Sequence, residues 1–328
     1  MGKLHHVVVA VSVLCASAAL AQAPVAGPLT SYPTKSVRML VGFAPGGGTD
    51  VIARIYAQRL SESLGQTFIV ENRPGAGGTI ATDFTAKAAP DGYTLLMTGI
   101  VHTTTATIYS KLPYDPVKDF TAITTVGLTP QCFVVHPSMP VKTLRELIAL
   151  AKAKPGEVSY ASAGNGTPMH VGMELFRSMA GIKLLHVPYN GAGPSTIAVL
   201  GGQIPVLSTS LPTAIPHARA GKLRILAVTT AQRTQLAPDY PTVAEAAGLP
   251  GYEAAVWYGL LAPAGMPQAV VNKLNAEIER QQQREVREQL ATLGIDPYRL
   301  TPTDFAELIK SDVVKWRNVI RETGAKLD

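Results

Sequence analysis

From position 37 onward the chain alternates short aliphatic and β-branched runs with longer stretches whose apolar residues recur every three to four positions. The short runs predict strands at VRMLVGF (37–43), TFIVEN (67–72), YTLLMTG (93–99), QCFVVHP (131–137), VSYASA (158–163), KLLHVPY (183–189), IPVLSTS (204–210), LRILAVTT (223–230) and AAVWYGLLAP (254–263). Segments such as DVIARIYAQRLSESLG and TLRELIALAKAKPG carry one apolar face and end in glycine, so they predict amphipathic helices between strands. Two long polar-faced helices are predicted at the end, one from Pro267 to Leu293 and one from Pro302 to Thr323, with Thr301 as a cap. Alternation of this kind implies an α/β architecture with mainly parallel sheets flanked by helices. Helices that follow the last strand must pack on a domain built earlier. The expected organisation is therefore a discontinuous lobe I of residues 32–125 plus 255–328 and a lobe II of 126–254, with two crossover strands between them.

The first 23 residues break the pattern. Lys3, His5 and His6 lead into an apolar run that ends in small residues, the form of a cleavable secretory signal peptide at 1–23. The run is shorter than the roughly 20 residues that span a bilayer, and cleavage after Ala21 is expected. Leu14 before Cys15 argues against lipidation, which needs a small residue there. Beyond the leader Cys132 is the one cysteine, so an internal disulfide or a thiolate metal cluster is excluded.

The 328 residues suit about two domains. The net charge of +6 is spread rather than clustered, which favours encounter with anions and speaks against nucleic acid as a partner.

The chemistry lies in glycine turns that join strands to helices. In FAPGGGTD, residues Gly46, Gly47 and Gly48 let backbone approach a ligand, and Thr49 or Asp50 is placed to cap a helix beginning at Val51. ENRPGAGGT brings Gly75, Gly77 and Gly78 before a helix; ASAGNGTPMH brings Gly164 and Gly166 before Pro168; HVPYNGAGPST brings Gly191 and Gly193 before Pro194. A helix N-terminus offers unpaired N–H groups and about half a positive charge. Such turns lie beyond the carboxyl ends of strands, where open α/β sheets bind ligands. Several of them around one cleft would make a carboxylate site without an arginine clamp. One such turn alone signifies only chain reversal.

Other chemistries lack support. FAPGGGTD has neither the Lys-Ser/Thr of a P-loop nor G-x-G-x-x-G spacing, so no nucleotide or other cofactor is expected. Ser162 and Ser195 sit outside any G-x-S-x-G elbow. His102, His136, His170, His186 and His217 are never three or four apart, which removes helical metal-pair spacing. His170, on the first turn after Pro168, is placed either to line a pocket or to make a structural hydrogen bond. Glu146, Glu174 and Glu245 are expected to face solvent, and Trp257 and Tyr258 to pack at the hinge rather than wall the cleft.

Read together, the blocks YPTKSVRMLVGFAPGGGTDVIAR, VENRPGAGGTIATDFTAKAAPDGYTLL, LPYDPVKDF, VSYASAGNGTPMH, LLHVPYNG, LGGQIPV and PTVAEAAGLPGYEAAVWYGLLAPAG, in this order, resemble the Bug receptors of tripartite tricarboxylate transporters over essentially all of the chain after the leader. The resemblance implies a type II periplasmic-binding-protein fold, two lobes closing on a small organic carboxylate, and delivery to inner-membrane permease subunits by a monomeric, non-enzymatic periplasmic receptor. A ligand-loaded sensor is the alternative, and a periplasmic enzyme a more distant one. By the same likeness Ala44, Gly46, Gly47 and Thr49 fall in the first-lobe anion loop, and Thr98 and Gly99 follow the third strand. Ser162, Ala163, Gly164, Thr167 and His170 fall in the second-lobe loop, opposite Tyr189, Asn190 and Gly191. The chain departs from the family pattern at Asn190, where a basic residue is frequent, and around Ser208, where an aromatic or acidic one is common. Both departures bear on the ligand's charge and size.

Overall fold

The computed structural model describes residues 31–323 apart from Ser110 and Gln283, so the expected leader at 1–23 lies outside the described residues. Strand β1 (Val37–Val41) runs into helix α1 (Gly48–Leu64), β2 (Phe68–Asn72) into α2 (Thr79–Ala86), and β3 (Thr94–Gly99) into α3 (Val101–Ile108), ahead of β4 (Phe120–Thr129). The middle of the chain holds β5 (Gln131–Val135), α4 (Leu144–Ala153), β6 (Ser159–Ser162), α5 (Pro168–Ala180) and β7 (Leu185–Pro188). It continues with α6 (Ala192–Leu200), β8 (Val206–Ser210), α7 (Leu211–Arg219), β9 (Arg224–Val228) and α8 (Val243–Ala247). The last strand, β10 (Val256–Pro263), precedes α9 (Gln268–Gln281), α10 (Arg284–Thr292) and α11 (Pro302–Thr323).

These strands form two mixed five-stranded sheets, ordered β2-β1-β3-β10-β4 and β7-β6-β8-β5-β9. In the first, β10 alone runs antiparallel to its neighbours. In the second that role falls to β5. The rest is parallel, and the connecting helices α1, α5 and α6 make the crossovers that parallel pairing requires. The result is two α/β domains flanked by helices, in which the chain enters the second sheet after β4 and comes back to the first as β10.

The two chain passages between the sheets are laced together. Only Pro130 separates β4 from β5. Next to it the Thr229 N–H donates to the Gln131 carbonyl at 2.9 Å, and the Ala254 N–H donates to the Thr229 carbonyl at 2.9 Å. Helix α11 contacts α3, β4 and α5, with Trp316 and Phe305 fully buried. Its cap is the expected one, the Asp304 N–H donating to Thr301 Oγ1 at 3.1 Å.

Two elements differ from expectation. The ten-residue β4, FTAITTVGLT, was not anticipated, because its threonines break the aliphatic run that marks a buried strand. Buried Thr124 and Thr125 satisfy their hydroxyls on Leu300, at 2.9 Å to its carbonyl and 2.8 Å from its N–H, so the strand tolerates them. The single helix expected from Pro267 to Leu293 is two, α9 and α10. The buried positions Leu274, Ile278, Gln282, Val286 and Leu290 keep helical spacing across both, which is why they read as one. The break comes where the stripe carries the polar Gln282.

Candidate functional site

A cleft of about 800 Å³ lies beyond the carboxyl ends of β1, β3 and β6. One side is formed by Phe43, Gly47, Gly48, Thr49, Gly77, Ile100, Val101, Thr104, Thr105, Tyr109, Val256 and Tyr258, with Gly99 at the end of β3. The other side is Asn165, Gly166, Thr167 and Pro168. None of these lining residues carries a charge, yet three helices begin among them: α1 at Gly48, α3 at Val101 and α5 at Pro168. The first N–H groups of a helix have no partner within it, and its dipole places positive potential there. An apolar cleft with three such ends therefore attracts an anion through backbone alone.

Local sequence explains the close fit of this wall. Along β10 side chains alternate, so Trp257 points into the core while Val256 and Tyr258 line the cleft. The Trp257 indole donates to buried Asp312 at 2.8 Å and meets Phe305 edge-on. The expectation of packing at the hinge thus fits Trp257, whereas Tyr258 walls the cleft. The Tyr258 hydroxyl lies 3.3 Å from Thr129 Oγ1, and burial pushes its pKa up, so it stays protonated and able to donate. At Gly99 a Cβ would come within 2.7 Å of the Trp257 carbonyl, so β3 and β10 meet this closely only with glycine there.

The first-domain loop is built differently from the expected cap. Helix α1 starts at Gly48, and its N-cap, Gly47, has no side-chain cap. Asp50 reaches back instead, its Oδ2 accepting the Gly46 N–H at 2.8 Å, while Arg54 and Asn72 donate to the same carboxylate at 3.0 and 2.8 Å. Asp50 is 2% exposed. Burial alone would raise its pKa, but the hydrogen bonds from Arg54, Gly46 and Asn72 prevail and hold it below the usual carboxylate range.

In the second domain Thr167 caps α5, its Oγ1 accepting the His170 N–H at 3.4 Å and donating to the Gly164 carbonyl at 2.8 Å. The His170 ring stacks on His186 with centroids 4.1 Å apart, and His186 stacks in turn on Tyr160. Ser162 Oγ lies 2.7 Å from His186 Nε2 and accepts the Gly164 N–H at 3.2 Å. Burial lowers the pKa of His170. Burial, then the neighbouring His170 and Arg177, lowers that of His186 to about 3, so both rings are neutral. Glu174, expected at the surface, is buried at 2% exposure, because Tyr160 donates to it at 2.6 Å and Arg177 pairs with it. Glu146 and Glu245 are exposed as expected.

Of the residues singled out from sequence, Gly47, Thr49, Gly99 and Thr167 line the cleft, together with Gly48, Gly77, Gly166 and Pro168 of the glycine turns. Ala44 and Gly46 are exposed on the same loop without lining it. Thr98, Ser162 and His170 are buried beneath the loops, and Ala163 and Gly164 are partly covered beside them. The Ala163 carbonyl accepts the Gly191 N–H at 3.0 Å, and the Ser162 carbonyl accepts the Tyr189 N–H at 3.1 Å, which ties residues 189–191 to the second-domain loop. Asn190 is exposed beyond the cleft, and Ser208 is buried in β8, its hydroxyl without a hydrogen-bond partner among the described residues. Sequence reasoning missed Phe43 and the whole α3 face, Ile100, Val101, Thr104, Thr105 and Tyr109. The signal was present, since VHTTTATI follows Gly99 with the same strand-glycine-helix order as the other turns.

Known proteins share this arrangement. Residues 52–325 match the profile of the tripartite tricarboxylate transporter family receptor. Protein BugT of Bordetella pertussis is 38% identical over 313 residues, covering 94% of this chain and 96% of that protein. The structure of R. palustris Rpa4515 with adipate superposes with a TM-score of 0.71 at 36% identity, over 90% of this chain and 100% of that one. That of MatC (Rpa3494) from Rhodopseudomonas palustris with bound malate gives 0.68 at 33%, over 88% and 100%. The chain therefore belongs to the tripartite tricarboxylate transporter receptor family, as a solute-binding receptor and not an enzyme.

Proposed function

We propose that this receptor captures a small organic carboxylate in the cleft and delivers it, from the periplasm, to the inner-membrane permease subunits of a tripartite tricarboxylate-type transporter. One observation carries the reading: helices from both domains begin at a cleft whose lining has no charged side chain. Micromolar affinity requires about 8 kcal/mol. Hydrogen bonds to a carboxylate contribute about 1.5–3 kcal/mol each, so a few backbone N–H groups suffice after ordering costs. Relatives of known structure carry adipate and malate, which agrees with a carboxylate ligand.

The working unit in this reading is a monomer released from its leader. Lobe I is residues 32–125 with 255–328 and lobe II is 126–254, the passages falling near Pro130 and Ala254. Ligand bridges the lobes and shifts an open–closed equilibrium toward the closed form. Gly47, Thr49, Gly99 and Thr167 line the site now, while Ala44, Gly46 and residues 189–191 border it and meet the ligand on closure.

A thermal-shift screen over mono- and dicarboxylates tests this. An acid present at 100 times its Kd adds about 2.7 kcal/mol, a rise of several degrees. If no carboxylate raised the transition while a neutral or cationic solute did, the proposal would be wrong.

A further inference from the structure

Two helices that open on the cleft carry the same device under their first turn. The N-cap is Gly47 in α1 and Thr167 in α5, so the third helical residue is Asp50 in one and His170 in the other. The residue before the cap is Gly46 or Gly166. Asp50 Oδ2 accepts the Gly46 N–H at 2.8 Å, and His170 Nδ1 accepts the Gly166 N–H at 3.0 Å. In a capping box the third residue holds the N-cap N–H; here it reaches one residue further back and holds the turn itself. Both glycines have positive φ, 88° and 70°, a conformation open to glycine and fixed here by the bond. Asp50 and His170 are 2% and 3% exposed, so each spends its acceptor on the loop.

The groups around His170 define its proton. An N–H donor at Nδ1 leaves the proton of the neutral ring on Nε2, which faces Glu174 Oε1 at 4.0 Å. Glu174 and Arg177 of α5, Tyr160 of β6 and His186 of β7 are the titratable groups around the ring. Gly166 and Thr167 line the cleft directly above.

We infer that His170 is a positioning residue for the second-domain binding loop, as Asp50 is for the first, and that protonation of His170 frees the second loop while the first stays fixed. A protonated Nδ1 cannot accept the Gly166 N–H, whereas Asp50 keeps its acceptor as a carboxylate. The inference rests on the reading of the cleft as the carboxylate site, and its first test needs no ligand.

Amide exchange at Gly46 and Gly166, corrected for intrinsic rates, is measured in wild type, His170→Ala and His170→Asn. The Asn Oδ1 stands as far along the side chain as Nδ1 and restores an acceptor. Gly166 exchange should rise about tenfold in the Ala variant, the loss expected for one hydrogen bond, and return toward wild type in the Asn variant. Acidifying wild type below the ordinary imidazole range until the His170 ring protonates should speed Gly166 exchange and leave Gly46 unchanged while Asp50 stays ionised. With adipate as probe, calorimetric affinity should fall about tenfold in the Ala variant and recover in the Asn variant. Unchanged Gly166 protection in His170→Ala would overturn the inference. So would a wild-type imidazole nitrogen spectrum with the proton on Nδ1, which decides the matter even if the Ala variant fails to fold. A wild type that binds no acid strikes the functional reading alone, because the exchange results still decide the positioning role.

Discussion

The two binding loops follow one plan with opposite materials. The first-domain loop is held by a carboxylate, Asp50, whose charge is answered by Arg54 and Asn72. The second-domain loop is held by a neutral imidazole, His170, set in a stack of rings. Neither leaves an uncompensated charge under the cleft. The helix ends therefore dominate the local potential, and a buttress needs to supply only an acceptor of the right reach. The difference lies in response to acid: one acceptor persists, the other is lost.

The largest expected effect is at Asp50. Asp50→Ala takes from the Gly46 N–H, the Asn72 amide and the half-exposed Arg54 guanidinium their shared partner, and should cost about 2 kcal/mol in urea unfolding. Asp50→Asn keeps an acceptor and should cost less than half of that. A loss below about 1 kcal/mol in the Ala variant would mean that the network does not hold the loop.

A more gradual effect is expected with pH. The folded-state pKa of His186 lies near 3, below its ordinary 6.5, so between these values the unfolded chain binds the extra proton. Its contribution to stability is complete above pH 6.5 and declines as pH falls toward 3. Melting temperatures of wild type should drop across this window more steeply than those of His186→Gln. Parallel curves would contradict the assignment of a half-buried neutral ring at His186 and sharpen the contrast with Asp50, whose lowered pKa keeps it ionised over most of that range.

Much of this was legible in the sequence. The strand runs and the glycine turns located the ends of β1, β3 and β6, with Gly47 and Thr49 at the cleft, and the family resemblance added Gly99 and Thr167. Strand β4 was not legible, because a threonine-rich segment satisfies its hydroxyls only through partners 175 or more positions away, on Leu300. The roles of buried Glu174 and half-buried His186 were hidden for the same reason: a charged or titratable residue reads as exposed until the fold supplies Tyr160 and Arg177 for the one, Ser162 and His170 for the other. The separate fates of Trp257 and Tyr258 follow from strand alternation, once β10 is known to run between β3 and β4.

A crystal structure of the receptor with the carboxylate that stabilises it most would test the central claim most directly. The account predicts both carboxylate oxygens within hydrogen-bonding distance, about 3 Å, of backbone N–H groups at the starts of α1 and α3 or α5, directly or through one water, with no lysine or arginine in contact. A carboxylate paired with a basic side chain, or seated away from these helix starts, would contradict it.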